Sequence, residues 1–206
     1  MLVNRRSAVA MCFALTQSVS FAATLTPVRA TGAKFNILNN AVASTVPFFV
    51  SSGGKDYLKT SNAAGQLLAN NTDWKNSGFP TPVSIGGNAR IGNGQCVDFV
   101  KHATGTNSIA ASSWKRGNHV SDYWDPTALV GQAIATFDAN GNYDSGHTAI
   151  ILSAWKASGS NTVTNVWVAD ANWVGGAGSL IVGRHGIDIN GSSRVSNLKN
   201  YYLVNY

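Results

Sequence analysis

Short apolar runs separated by turn residues dominate the second half of the sequence and predict β-strands. Residues 133–137 and 147–152 are apolar, and the segment DANGNYDSG that joins them contains Asn140-Gly141, a pair suited to a hairpin turn. Residues 163–170 (VTNVWVAD) alternate between the two faces that a half-buried strand presents. Shorter runs predict further strands at 180–182, 186–189 and 201–204.

A helix is predicted after the glycine-rich segment IGGNARIGNG, which begins at Ile85. Val97, Val100 and Ala103 follow at spacings that place them on one helical face, and Cys96 stands where this helix begins. Together with the strands, this pattern predicts an α+β fold in which the helix packs on an antiparallel sheet.

The first 22 residues have the organisation of a secretory signal. Arg5 and Arg6 precede an apolar stretch of about fourteen residues, which is shorter than a membrane-spanning helix requires. Small residues at Ser20 and Ala22 then predict cleavage after Ala22. The expected mature protein is secreted or periplasmic, and it has no integral membrane segment after signal cleavage.

Residues 23–82 form an N-terminal extension in which no chemistry is recognisable. A helix is plausible over residues 56–68, and the extension is either packed on the main domain or a small appended region. Residues 83–206 carry the denser structural pattern and are predicted to be the catalytic domain.

Composition and charge narrow the classes of function. The 206 residues are 44% hydrophobic and only 12% charged, which predicts a folded chain. Lys plus Arg outnumber Asp plus Glu by 15 to 9, but the basic residues form no run. Since nucleic-acid binding requires a concentrated positive face, no nucleic-acid partner is predicted.

Removal of the signal leaves one of the two cysteines, because Cys12 lies within the signal and Cys96 does not. An unpaired cysteine in an oxidising compartment needs either a use or deep burial. At a helix N-terminus the thiolate is stabilised by the helix dipole, which lowers the pKa of Cys96 and favours nucleophilic attack.

A cysteine nucleophile needs a base, and the base needs a partner that holds its tautomer. Of the four histidines, His147 opens an apolar strand directly after Gly146, whereas His185 sits among glycines. His147 is therefore the favoured base. Asp170 and Asn172 are both candidates for its partner, because residues two apart in a strand face the same side.

Four blocks occur in the order GNGQCVDFV, WKRGNHV, GQAIATF with GHTAIIL, and VADANW. They resemble the successive blocks of the CHAP amidase/peptidase family, within the papain-like NlpC/P60 superfamily, over about residues 85–175. The resemblance implies a papain-like fold with Cys96 as nucleophile, His147 as base, and Asp170 and Asn172 completing the site. Asp170 departs from the family pattern, in which that position is commonly Glu.

The resemblance also implies hydrolysis of amide bonds in peptidoglycan, either between muramic acid and alanine or within the stem peptide. The expected oxyanion donors are the backbone N–H of Cys96 and Gln95. Neither a metal nor another cofactor is predicted. Aromatic side chains that flank the predicted site in sequence are candidates for substrate contact, at Trp114, Trp124 and Trp173.

Two other classes of function stay open at this point. One is an inactive wall-binding or interaction module, against which the intact Cys–His pair argues. The other is a papain-like thiol acyltransferase or a hydrolase of proteins. The expected partner is peptidoglycan or its fragments, with an immunity or inhibitor protein as a further possible partner.

Overall fold

The computed structural model describes residues 26–30, 32–39, 47–52, 55–173 and 180–206. The predicted signal, with Cys12, lies outside these residues. The described helices are α1 (Gly32–Leu38), α2 (Thr72–Ser77) and α3 (Cys96–Thr104). The strands are β1 (Phe49–Ser52), β2 (Lys55–Leu58), β3 (Val83–Ile85), β4 (Asn88–Arg90), β5 (Lys115–His119), β6 (Ala133–Phe137), β7 (Tyr143–Lys156), β8 (Val163–Ala171), β9 (Val182–Asp188) and β10 (Tyr201–Asn205).

Eight of these strands form one antiparallel sheet in the order β1-β2-β9-β8-β7-β6-β10-β5, and β3 pairs with β4 separately. Helix α3 packs on β7 and β8 at the centre of this sheet. Its Phe99, Val100 and Ala103 are completely buried. Burial of each larger apolar side chain contributes about 1.5–3 kcal/mol, so this face anchors the helix. The predicted α+β class, with the cysteine-bearing helix on an antiparallel sheet, is confirmed.

The hairpin predicted around Asn140-Gly141 is also confirmed. Strands β6 and β7 pair, and the backbones of Asp138 and Asn142 hydrogen-bond at the turn. Gly141 has φ +79°, a left-handed conformation that glycine adopts without steric cost. Strand β8 follows at Val163 as the alternation indicates.

The helix expected over residues 56–68 is wrong. Residues 55–58 form β2, which pairs with β1 and β9. Asp56 accepts a 2.5 Å hydrogen bond from Arg184 of β9, and Leu58 is buried. These long-range contacts outweigh the weak local preference of a short segment for helix. Two strands of the predicted N-terminal extension therefore lie in the main sheet.

Within the described part of the chain, no helix combines the length and the apolar character needed to cross a bilayer.

Candidate active site

Cys96 is the first residue of α3, and a tight loop that contains glycines precedes it. Gln95 is the N-cap residue, with extended backbone angles. Gly92 and Gly94 have φ of +59° and +84°, and a Cβ at Gly92 would lie 1.8 Å from the Asp98 carboxylate. That carboxylate instead accepts a 2.7 Å hydrogen bond from the loop backbone. Asp98, in the first turn of α3, thus stabilises the loop that precedes Cys96.

His147 is held by a network at the beginning of β7. The Asp144 carboxylate accepts hydrogen bonds from the Thr136 hydroxyl at 2.8 Å and from the Gly146 N–H at 2.9 Å. The Thr136 hydroxyl oxygen in turn accepts the His147 N–H at 3.2 Å. A Cβ at Gly146 would lie only 2.2 Å from the Thr136 hydroxyl oxygen, so glycine is required beside His147.

Cys96, His147 and Asp170 form one series of neighbouring groups. His147 Nε2 lies 2.6 Å from Asp170 Oδ2, and the same imidazole is close enough to the Cys96 thiol to lower the pKa of that thiol. Because Nε2 faces the carboxylate, Nδ1 is the ring nitrogen that remains for the sulfur. Asp170 is completely buried in β8, beside the strand that carries His147.

Asn172 does not occupy the place beside His147 that its spacing from Asp170 predicts. Strand β8 ends at Ala171, and Asn172 has φ +59°, so the alternation of strand faces stops before it. Its Nδ2 donates a 3.1 Å hydrogen bond to Gln95 Oε1. Of the two candidates, the structure therefore brings Asp170 to the imidazole and Asn172 to the N-cap of α3.

The electrostatics of the series favour a thiolate–imidazolium pair. Burial disfavours the charged imidazolium, but the Asp170 carboxylate and the Cys96 thiolate together raise the pKa of His147 to about 10. Burial also disfavours the thiolate, yet the hydrogen-bonding and positive charge of His147, together with the Thr148 N–H, lower the pKa of Cys96 below its ordinary value. A sulfur in this state is a competent nucleophile.

Two groups that act on the sulfur were not expected from the sequence. Burial raises the pKa of Tyr143, and the nearby Cys96 thiolate raises it further. The backbone N–H of Thr148 lowers the pKa of Cys96. Tyr143 comes directly after the hairpin turn, where nothing in the sequence distinguishes a catalytic tyrosine from a structural one. A backbone N–H donor cannot be recognised from the sequence, because every residue except proline has one.

The series opens into a polar cleft of about 530 Å³. Gln95 and Asn172 line one part of it, and Lys101 contributes a cation. The remaining lining comes from α3, its preceding loop and the start of β7: Asn93, Cys96, Val97, Asp98, Tyr143, Ser145, Gly146 and His147. A cleft of this size accommodates a short peptide or a saccharide unit.

The three tryptophans have different surroundings. Trp114 is completely buried and packs against Tyr143 with ring centroids 5.4 Å apart, so the expectation that it contacts substrate is wrong. Trp124 is 74% exposed, but it lines a separate surface cavity with His119 rather than the cleft. Trp173 lies against the His147 ring, at a centroid distance of 4.9 Å.

Three carboxylate, imidazole or thiolate side chains close enough to hold a metal ion together do not occur among the described residues. Fold and site together define an α+β protein with a cysteine, a histidine and an aspartate arranged for nucleophilic catalysis.

The chain belongs to the domesticated amidase effector 2 family, whose model matches residues 70–204. This membership agrees with the amidase class that the CHAP resemblance implies, while membership of the CHAP family itself stays a prediction. No curated protein and no solved structure matches the chain.

Proposed function

We propose that the protein is a secreted or periplasmic cysteine hydrolase that cleaves amide bonds in peptidoglycan. The observation that carries this proposal is the 2.6 Å contact between His147 and Asp170 beside Cys96, whose pKa the imidazole lowers at the N-terminus of α3. Membership of an amidase effector family supports the reaction class. An inactive binding module would have no use for a buried carboxylate and imidazole aligned on a thiol.

Acylation begins with attack of the Cys96 sulfur on the carbonyl carbon of the scissile amide. The carbonyl oxygen becomes an oxyanion, and the backbone N–H of Cys96 donates to it at the start of the helix. Gln95 is the second donor. Its side-chain carbonyl already accepts a hydrogen bond from Asn172. The side-chain NH2 group is therefore left to donate to the oxyanion.

His147 carries the proton through both halves of the reaction. The imidazolium protonates the leaving nitrogen as the C–N bond breaks, and a thioester to Cys96 remains. Neutral His147 then removes a proton from water, whose oxygen attacks the thioester carbon. The C–S bond breaks, a carboxylic acid is released, and the thiolate–imidazolium pair forms again. Asp170 stabilises the imidazolium in each half.

The cleft lining suits a peptide that carries carboxylates. Lys101 projects its positive charge from the second turn of α3, and the amides of Asn93 and Asn172 supply further polar contacts. Stem peptides of peptidoglycan combine amide bonds with free carboxylates, which such groups recognise by charge and hydrogen bonding.

Digestion of purified peptidoglycan tests the proposal. The protein without residues 1–22 should release fragments that each gain one water per bond cleaved, and Cys96→Ala should release none. Mass analysis then separates the two scissile bonds, because a muramoyl-alanine amidase frees intact stems and an endopeptidase shortens them. Retention on peptidoglycan without release would support the binding-module alternative, and transfer to an added amine would support an acyltransferase.

Export is tested separately by the intact mass of protein recovered outside the cytoplasm. A mature chain that begins at Ala23 is expected, since Ser20 and Ala22 provide the small residues read by signal peptidase. Exported protein that retains residues 1–22 would contradict the predicted signal.

A further inference from the structure

A second histidine lies beside the carboxylate that orients His147. His185 stands on β9, opposite Val168 of β8, and therefore shares a face of the sheet with Asp170. Its Nε2 is 3.5 Å from Asp170 Oδ2, the same oxygen that His147 contacts at 2.6 Å. Three neighbouring strands, β7, β8 and β9, thus place imidazole, carboxylate and imidazole next to one another.

The carboxylate needs a second donor. Asp170 is completely buried, and its Oδ1 has no hydrogen-bond partner among the described residues. A buried carboxylate with few donors is destabilised relative to its protonated form. His185 is 4% exposed, and within the same described residues neither of its ring nitrogens reaches a partner at hydrogen-bond geometry. His185 is therefore a donor without a partner beside a buried carboxylate, which it approaches at Oδ2.

A neighbouring aromatic ring fixes the orientation of His185. Trp173 stacks on the imidazole with centroids 4.1 Å apart and planes at 15°, and it also lies against His147. Stacking restricts rotation of the His185 ring and keeps Nε2 on the side of the carboxylate. One indole therefore holds both imidazoles that flank Asp170.

Building on the proposed amide hydrolysis, we propose that His185 is a positioning residue whose neutral imidazole donates its Nε2–H to Asp170 and keeps that carboxylate aligned on His147. The 3.5 Å separation is longer than the usual N–H to O distance of about 2.7–3.2 Å. Catalytic hydrogen bonds commonly shorten when substrate binds, so the separation in the free protein is compatible with this role.

The surrounding charges agree with a neutral His185. Burial, together with the positive charges of His147 and Lys55, lowers the pKa of His185 against the opposing effect of Asp170. The titratable groups around His185 and Asp170 come from four other elements: Cys96 of α3, His147 of β7, Lys55 of β2 and Tyr201 of β10. A neutral imidazole has one N–H, so the tautomer of His185 decides whether Nε2 can donate to Asp170.

Two substitutions separate donation from packing. His185→Phe retains a ring for Trp173 but has no donor, whereas His185→Gln retains a side-chain N–H. Alkylation of Cys96 by iodoacetamide is measured against pH, which requires no amide substrate. In His185→Phe the midpoint of the profile should rise by about one pH unit, the scale of one hydrogen bond to a charged group. His185→Gln should return the midpoint to within about 0.3 of the parent value.

Kinetics on a peptidoglycan fragment give a second readout. His185→Phe should lower kcat about tenfold and change KM less than about twofold, because the lost contact acts through Asp170 and not on the substrate. His119→Phe is the matched control on β5, several strands away from β9; it loses hydrogen bonds to Ser121 and to the Lys199 carbonyl but should keep the kcat of the parent. An unchanged alkylation profile in His185→Phe, or equal loss in the Phe and Gln variants, would overturn the proposal.

The tautomer is measured on the parent protein, so the test does not depend on folding of a variant. Two-dimensional 1H–15N spectra of the histidine rings should show His185 protonated at Nε2 at neutral pH. Protonation at Nδ1 alone would overturn the proposal. Absence of peptidoglycan cleavage by the parent protein would instead contradict the proposed function, while the tautomer and alkylation results would still decide the role of His185.

Discussion

Replacing Asp170 by Asn removes the charge that stabilises the imidazolium while preserving the shape of the side chain. In the parent protein the pKa of His147 rises from 6.5 to about 10 against the opposing effect of burial. The two contributions of Asp170 to this rise, by charge and by hydrogen bond, each exceed those of Cys96. Asp170 is therefore the larger of the two influences that stabilise the imidazolium of His147.

The size of the expected loss follows from the 2.6 Å contact between the buried side chains of His147 and Asp170. A hydrogen bond to a charged group contributes about 1.5–3 kcal/mol, and the middle of that range corresponds to about 50-fold in rate. The Asn amide also fails to fix the tautomer of His147, which adds to the loss. Asp170→Asn should therefore lower kcat/KM at least 50-fold on a peptidoglycan fragment. Circular dichroism should show an unchanged fold.

Asn172→Ala is the matched control, because this side chain bonds Gln95 and not the imidazole. We expect it to lower kcat/KM by less than about tenfold, the scale of one neutral hydrogen bond. Equal activity of Asp170→Asn and the parent would refute the assignment of Asp170. A larger loss in Asn172→Ala than in Asp170→Asn would transfer the orienting role to Asn172.

Three further predictions concern the sulfur and its surroundings. Since the pKa of Cys96 is lowered, alkylation should already be fast at neutral pH and slow only as the pH falls further; a midpoint near the ordinary thiol value of about 8.5 would contradict this. Tyr143→Phe removes a donor to the thiolate, so the same midpoint should move upward, and an unchanged midpoint would exclude the contact. Gly146→Ala brings a methyl group against Thr136, and thermal unfolding should show a loss of about 1–3 kcal/mol. An unchanged Tm would show that the backbone around residue 146 accommodates the added methyl group.

Local pattern was sufficient for the elements whose stability depends on nearby residues. The hairpin around Asn140-Gly141 and the start of α3 at Cys96 follow from turn chemistry and helical spacing, and both occur as predicted. The position of His147 on a strand follows as well, because an apolar run begins there.

Tertiary structure decided which residue orients His147, because this depends on where strand β8 ends. Asp170 reaches His147 and Asn172 does not, because β8 stops at Ala171 and the backbone turns left-handed there. Sequence alternation could not show that end point.

Strand neighbours and core packing were equally hidden from the sequence. His185 lies beside Asp170 only because β9 pairs with β8, and residues 55–58 are a strand only because β9 offers an edge to them. The same holds for Trp114, whose burial depends on the core around Tyr143. Such contacts join residues that are distant in the chain, and their energies exceed the local preferences that a sequence pattern reports.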